Sequence, residues 1–175
     1  MGDGIADDTL AIQAALTAAT SVFVPPGIYR VTGTLPVGYG QTLHGSGAGS
    51  ILRAGGEGFP VVLLPDSYAA LHHLRIEQGS VGIKLTGRDG PCVQNAVHDV
   101  TVWDTQTGIV LDGGDSPDRP CYWNNFARVL VVRHLLHGVH LVRTGEGDTP
   151  NANKFHCVRV YSLAVPSTGS GFYVQ

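Results

Sequence analysis

Lysine is nearly missing from these 175 residues: only Lys84 and Lys154 occur, and the net charge is −3. No basic run or stripe stands in for it, which excludes the electrostatic footprint of a nucleic-acid binder or of a protein held on an anionic membrane. Charge of either sign is sparse, at 14% of residues against 43% hydrophobic, so the chain is not of the disordered class. Long apolar runs are also missing; none approaches the roughly 20 residues that span a bilayer. Three cysteines are too few for a disulfide framework and leave the redox compartment open. Met1 sits directly on GDG, without a charged or apolar leader, so no signal peptide is expected.

What is abundant is glycine, 24 residues, set among short valine-rich runs. Glycine turns between β-branched runs predict many short strands. Those strands repeat. LHHLRIEQGSVGIKL from Leu71, VHDVTVWDTQTGIVL from Val97, FARVLVVRHLLHGVHL from Phe126 and FHCVRVYS…GSGFYV from Phe155 share one pattern. Each has apolar residues at relative positions 0, 3 and 5, then a variable stretch, then Gly-h-x-h with h apolar. The starts lie 26, 29 and 29 residues apart. The glycines are Gly82, Gly108, Gly138 and Gly171, followed by Ile83, Ile109, Val139 and Phe172. Asn95, Asn124 and Asn153 recur two places before the first apolar position, and Pro91-Cys92 recurs as Pro120-Cys121. A period near 30 built of short alternating strands predicts an all-β parallel β-helix of 26–33 residues per coil. One asparagine per coil then predicts an internal amide ladder.

A solenoid's first coil needs a cap, because it otherwise presents apolar surface and unpaired strand edges. DDTLAIQAALTAA supplies one. Ile12, Ala15, Leu16 and Ala19 follow the spacing of one helical face, and Asp7 or Asp8 suits the helix start. A calcium loop is the rival reading of Asp3, Asp7 and Asp8, but the later bidentate glutamate it requires is missing. One domain is expected: a capping helix region over 1–20, first irregular coils over 21–70 and regular coils over 71–175.

GDGIADDTLAIQAAL, then VFVPPGIYRV, then QTLHGSGAGSIL closely resembles the opening of the pectate-lyase-like superfamily of single-stranded right-handed β-helices. That grouping includes phage tailspike and tail-fibre depolymerases and relatives of polygalacturonases. The resemblance implies a protein of the extracellular space or virion surface that binds or cleaves polysaccharide as a hydrolase or lyase and assembles as a homotrimer; the alternative is a non-catalytic β-helix scaffold or assembly module, and no cofactor is expected. It also implies a longer parent, of which this chain is the capped front. The Asn-Thr-Asp and paired Asp-Asp signatures of polygalacturonases are absent; the only Asp-Asp is Asp7-Asp8.

Coils stacked at strand spacing turn repeat positions into columns. A retaining glycosidase needs two carboxyl groups about 5 Å apart and an inverting one about 6.5–9.5 Å. No column holds two carboxylates, and the nearest approach is the diagonal of Glu77 and Asp104. Arg133 is the basic residue available for β-elimination. Glu77, Asp104 and Arg133 are therefore the catalytic candidates. Trp103, Asp104, Arg133 and Tyr161 are the candidates for holding sugar. Trp103, Tyr122, Trp123 and Tyr161 either stack on sugar rings or cover the outer face. Asp99–Arg128 and Asp104–Arg133 read as inter-coil ion pairs, or as parts of a saccharide groove. Asp112, Asp115 and Asp118 read as an exposed turn. His72, His98 and His156 share a repeat position that Ala127 interrupts, and His134, His137 and His140 lack helical zinc spacing; no metal is expected. Cys92 and Cys121 read as stacked free thiols, at a separation that a disulfide also allows.

Overall fold

The computed structural model describes residues 2–162 and 168–175. After β1 (Asp3–Asp7) and α1 (Thr9–Ala18) the chain makes six passes of one form. The first is β2 (Ser21–Val24), β3 (Gly27–Val31) and β4 (Leu35–Pro36). The second is β5 (Thr42–Gly45), β6 (Ser50–Ala54) and β7 (Pro60–Leu64). In the third and fourth, one bent strand covers two walls: β8 (Ala70–Glu77) then β9 (Val81–Thr86), and β10 (Ala96–Trp103) then β11 (Thr107–Asp112). The fifth is β12 (Asn125–Ala127), β13 (Leu130–Val132) and β14 (His137–Val142). The sixth is β15 (Lys154–His156), β16 (Arg159–Tyr161) and β17 (Phe172–Val174). Every pairing among the described residues is parallel and joins one pass to the next, or β1 to the first, so the chain is a parallel β-solenoid of about six turns.

The expected columns are in register. Leu71, Val97, Phe126 and Phe155 pair in succession, as do Ile83, Ile109, Val139 and Phe172. All are buried except Phe155, partly covered, and Phe172, half exposed on the last pass. The glycine column has a steric cause. A Cβ on Gly82 would lie 2.5 Å from Val102 Cγ1 and 2.7 Å from the Gly108 carbonyl, and Gly108 and Gly138 meet Val131 and Val160 in the same way. Only glycine lets the third wall approach the valines of the second so closely.

The walls meet at bends where non-glycine residues adopt left-handed backbone. Tyr68, Gln94, Trp123 and Ala152 form one corner column; His73, Asp99, Arg128 and Cys157 form the next; Gln78, Asp104 and Arg133 form the third. Each such residue costs about 1 kcal/mol or more, and the hydrogen bonds stacked beside the corners offset it. Asn95 Nδ2 donates to Asn124 Oδ1 at 2.9 Å, and Asn124 Nδ2 to Asn153 Oδ1 at 3.0 Å. Asn95, Asn124 and Asn153 Nδ2 also donate, in that order, to the Asp66, Cys92 and Cys121 carbonyls on the turns between coils.

α1 covers the first pass with Ile12 and Leu16 buried, while Ala15 packs partly and Ala19 is exposed. Asp7, rather than Asp8, makes the capping contact: its Oδ1 accepts from Thr9 N at 3.0 Å. Asp3 Oδ1 is bound by the Ile5 and Ala6 amides, so these carboxylates serve local backbone turns. Gln41 Nε2 donates to the Leu16 and Ala19 carbonyls and satisfies the helix's other end. β1, unforeseen in the sequence, extends the middle wall beyond β3. The variable stretch after Tyr161 falls partly outside the described residues.

Candidate functional site

The outer face of the middle wall carries the site. Alternation along each strand turns Leu52, Ile76, Val102 and Val131 inward and leaves a second column facing out. That column runs Asp7, Arg30, Arg53, Glu77, Trp103, Val132, Tyr161 in register. Glu77 is clamped from two sides. Its Oε2 accepts from Arg53 Nε and Nη2, both at 2.8 Å, and its Oε1 from Arg75 Nη2 at 2.7 Å. Arg75 in turn lies over the Trp103 ring, 4.7 Å from its centroid. Its Nε is buried and has no hydrogen-bond partner among the described residues.

Beside this stack lies an open groove of about 550 Å³, lined by Arg30, Arg53, Gln78, Asp104, Gln106 and Leu135 with the 54–57 turn, which adds the carboxylate of Glu57. Arg30 forms no ion pair among the described residues. It lies across Gly55, where a Cβ would come within 2.7 Å of its Nε. Gln78 and Asp104 reach the groove because they occupy the left-handed corner between walls. Asp104 receives one hydrogen bond from Arg133 Nε, at 3.2 Å, with both side chains more than a third exposed.

The predicted site residues are thus divided. Glu77 and Trp103 are joined through Arg75, Asp104 and Arg133 are paired, and only Asp104 of the five lines the groove. Tyr161 lies two coils from Trp103, roughly 10 Å along the axis, with buried Val132 between them. Arg30, Arg53, Gln78 and Gln106 were missed. A signal existed for the arginines: GIYRV and SILRA carry the same Ile-x-Arg, and Ile28 and Arg30 pair with Ile51 and Arg53.

The first corner gathers imidazoles. His44, His72 and His98 are in register, with ring centroids 5.1 and 4.6 Å apart. Ala127 interrupts the column before His156, as expected, while His44 extends it unforeseen. His73 stands edge-on, its Nδ1 2.8 Å from His72 Nδ1. Burial, then the neighbouring His98, His44 and His73, push the His72 pKa down. Asp99 accepts from Arg128 Nε and Nη2, both at 2.7 Å, and lies 2.8 Å from His98 Nδ1. Those bonds hold its carboxyl far below the usual range. His137 and His140 pack with Tyr173 on the third wall instead.

Cys92 and Cys121 are buried free thiols, and the Cys92 contact, with burial, raises the Cys121 pKa. Asp112 does not share the exposed turn of Asp115 and Asp118. It ends β11 at 2% exposure, bound to Lys84 Nζ at 2.8 Å, Thr144 Oγ1 and the Gly114 amide. Burial raises its pKa, but these partners outweigh that and leave it lowered. The misreading arose because LDGGDSPDRP looks like turn throughout, whereas its first two residues are strand.

Residues 1–69 match the family model described as rhamnogalacturonase A/epimerase, pectate lyase-like. No curated protein sequence matches the chain. Among solved structures, ORF18 of Geobacillus virus E2 superposes with a TM-score of 0.66 at 19% identity, over 96% of this chain and 41% of that one. The mannuronan C-5 epimerase AlgE4 A-module of Azotobacter vinelandii gives 0.55 at 18% identity, over 89% of this chain and 62% of that one. The chain therefore spans about two fifths of the phage protein. Residues 1–69 are a pectate-lyase-like β-helix, and the structural likeness extends that fold along the rest. No described helix is long and apolar enough to cross a membrane.

Proposed function

We propose that this chain is the front part of a β-helix protein acting on polysaccharide, and that the groove on its middle wall binds an acidic sugar chain. Arg30 carries the reading: a guanidinium without an ion pair among the described residues, acting on its column neighbour Asp7 only at longer range, set in an open groove beside Arg53, Gln78 and Gln106 that Glu57 and Asp104 also line. Guanidinium forks suit uronate carboxylates, and side-chain amides suit sugar hydroxyls. The family model over residues 1–69 is named for a rhamnogalacturonase, and the epimerase with this fold acts on mannuronan. Trp103 and Tyr161 are the aromatic surfaces along which the chain would continue.

Of the catalytic candidates, Glu77 holds the arginines in place, because both its oxygens are taken by guanidinium groups. Arg133 is no proton donor, since a guanidinium does not give up its proton; it acts in binding through Asp104, the groove residue that accepts its hydrogen bond. Hydrolysis or elimination belongs, on this reading, to the longer parent, placed outside the cell or on a virion and assembled as a trimer. The commitment of Glu77 also favours a second reading, a non-catalytic scaffold or assembly module. Calorimetric titration with oligouronates and neutral oligosaccharides, beside a reducing-end assay, separates the two. Binding of the acidic series without cleavage is expected; indifference to both series would leave the scaffold.

A further inference from the structure

The first corner of the solenoid brings together three imidazoles and a carboxylate, of which the sequence aligns only His72 and His98. In a plain strand, consecutive side chains face opposite ways. At His73 and Asp99 the backbone is left-handed, with φ of 53° and 55°, and the alternation breaks. His73 consequently turns back on His72, Nδ1 to Nδ1 at 2.8 Å, and Asp99 turns back on His98, Oδ2 to Nδ1 at 2.8 Å. Because His72 and His98 are stacked in register, the two turned pairs form a two-by-two array across adjacent coils. One ring nitrogen from each of His72, His73 and His98 lies within 4.8 Å of the others. Asp99 Oδ2 also lies 3.9 Å from His73 Nε2.

We propose that this array is a binding site for a divalent transition metal, with zinc as its natural occupant. Three imidazoles are a donor set for zinc rather than for calcium or magnesium, which take oxygen; Asp99, its oxygens held by Arg128, stands behind His98 as the outer-shell carboxylate. Zinc–nitrogen bonds of about 2.0–2.1 Å place tetrahedral ligands roughly 3.3 Å apart. The present separations, from 2.8 Å to under 4.8 Å, bracket that value; the His72 and His98 rings, stacked 7° from parallel, must turn out of that stack so that their in-plane lone pairs meet that of the half-exposed His73. Arg128, on the next coil, grips both Asp99 oxygens and orients the carboxylate as an outer-shell partner. The ion would tie the coil of His72 and His73 to that of His98 and Asp99, binding the folded state alone and raising its stability by mass action.

The test is zinc titration of the intact chain, followed by calorimetry and thermal melting, with calcium and magnesium in parallel. One zinc per chain and a zinc-dependent rise in Tm are expected, with no response to calcium or magnesium. His73→Ala and His98→Ala should each weaken zinc binding more than about 100-fold, beyond what losing an outer-shell partner costs. His73 is half exposed, so its variant keeps the fold even if that of His98 does not. His156→Ala, in the same column but beyond Ala127, should bind as the parent does. Absence of zinc binding would overturn the proposal. So would a site that survives both substitutions, or one that takes calcium equally well.

Discussion

Asn95 and Asn124 lie one above the other in the wall of the solenoid, side-chain amide to side-chain carbonyl at 2.9 Å. Asn124 Oδ1 also accepts from the Asn95 backbone amide at 3.0 Å, and its Nδ2 serves both Asn153 and the Cys92 carbonyl. Asn124→Ala therefore strands several buried groups at once. The expected loss is about 2–4 kcal/mol, at 1–3 kcal/mol for each group left unsatisfied. Urea unfolding measures it. Asn124→Asp should be worse, because it replaces the donor facing two acceptors with a buried charge.

Gly108→Ala sets a new methyl 2.5 Å from the Gly138 carbonyl and closer still to Val131. Main chain on the neighbouring coil must move, so a loss of about 1–3 kcal/mol is expected. Gly90→Ala, with nothing within 4 Å, should be near neutral. A Tm series over both variants tests whether close packing of walls selects the glycine column.

The cap rests on Leu16, 2% exposed beneath the helix. Leu16→Ala removes its packing on the first pass and should cost about 2–4 kcal/mol. Thermal melting reads the loss directly, and an unchanged Tm would mean that α1 does not hold the first coil.

Acid stability should report Asp7. Hydrogen bonds from Thr32 and Thr9 draw its carboxyl down to about 2 from 3.8. Because folding lowers this pKa, its contribution is complete above the unfolded value and drains away as pH falls from near 3.8 to about 2. Thr32→Val removes the leading bond, so the difference from the parent should vanish below that window and be full above it.

The regular coils were legible because Leu71, Val97 and Phe126 recur with glycines at a nearly fixed offset, and the Asn ladder followed from the same period. The arginine groove was harder to read. Arg30 and Arg53 sit on early coils of different length, so counting by 29 never aligns them with Glu77. The corner columns were hidden for another reason. His73, Asp99 and Asp104 are left-handed without being glycine, and only the neighbouring coil determines that backbone. Asp112 was misplaced because its partners, Lys84 and Thr144, lie on adjacent coils.

Whether the groove binds acidic sugar is read from oligouronate titration of Arg30→Gln beside the parent chain. Arg30 lines the groove but takes no part in the Glu77 clamp or the core. The parent should bind, the variant should bind about tenfold or more weakly, near 1.4 kcal/mol, and both should melt at the same temperature. Equal affinity in the two proteins, or no binding by the parent, would contradict this reading of the groove.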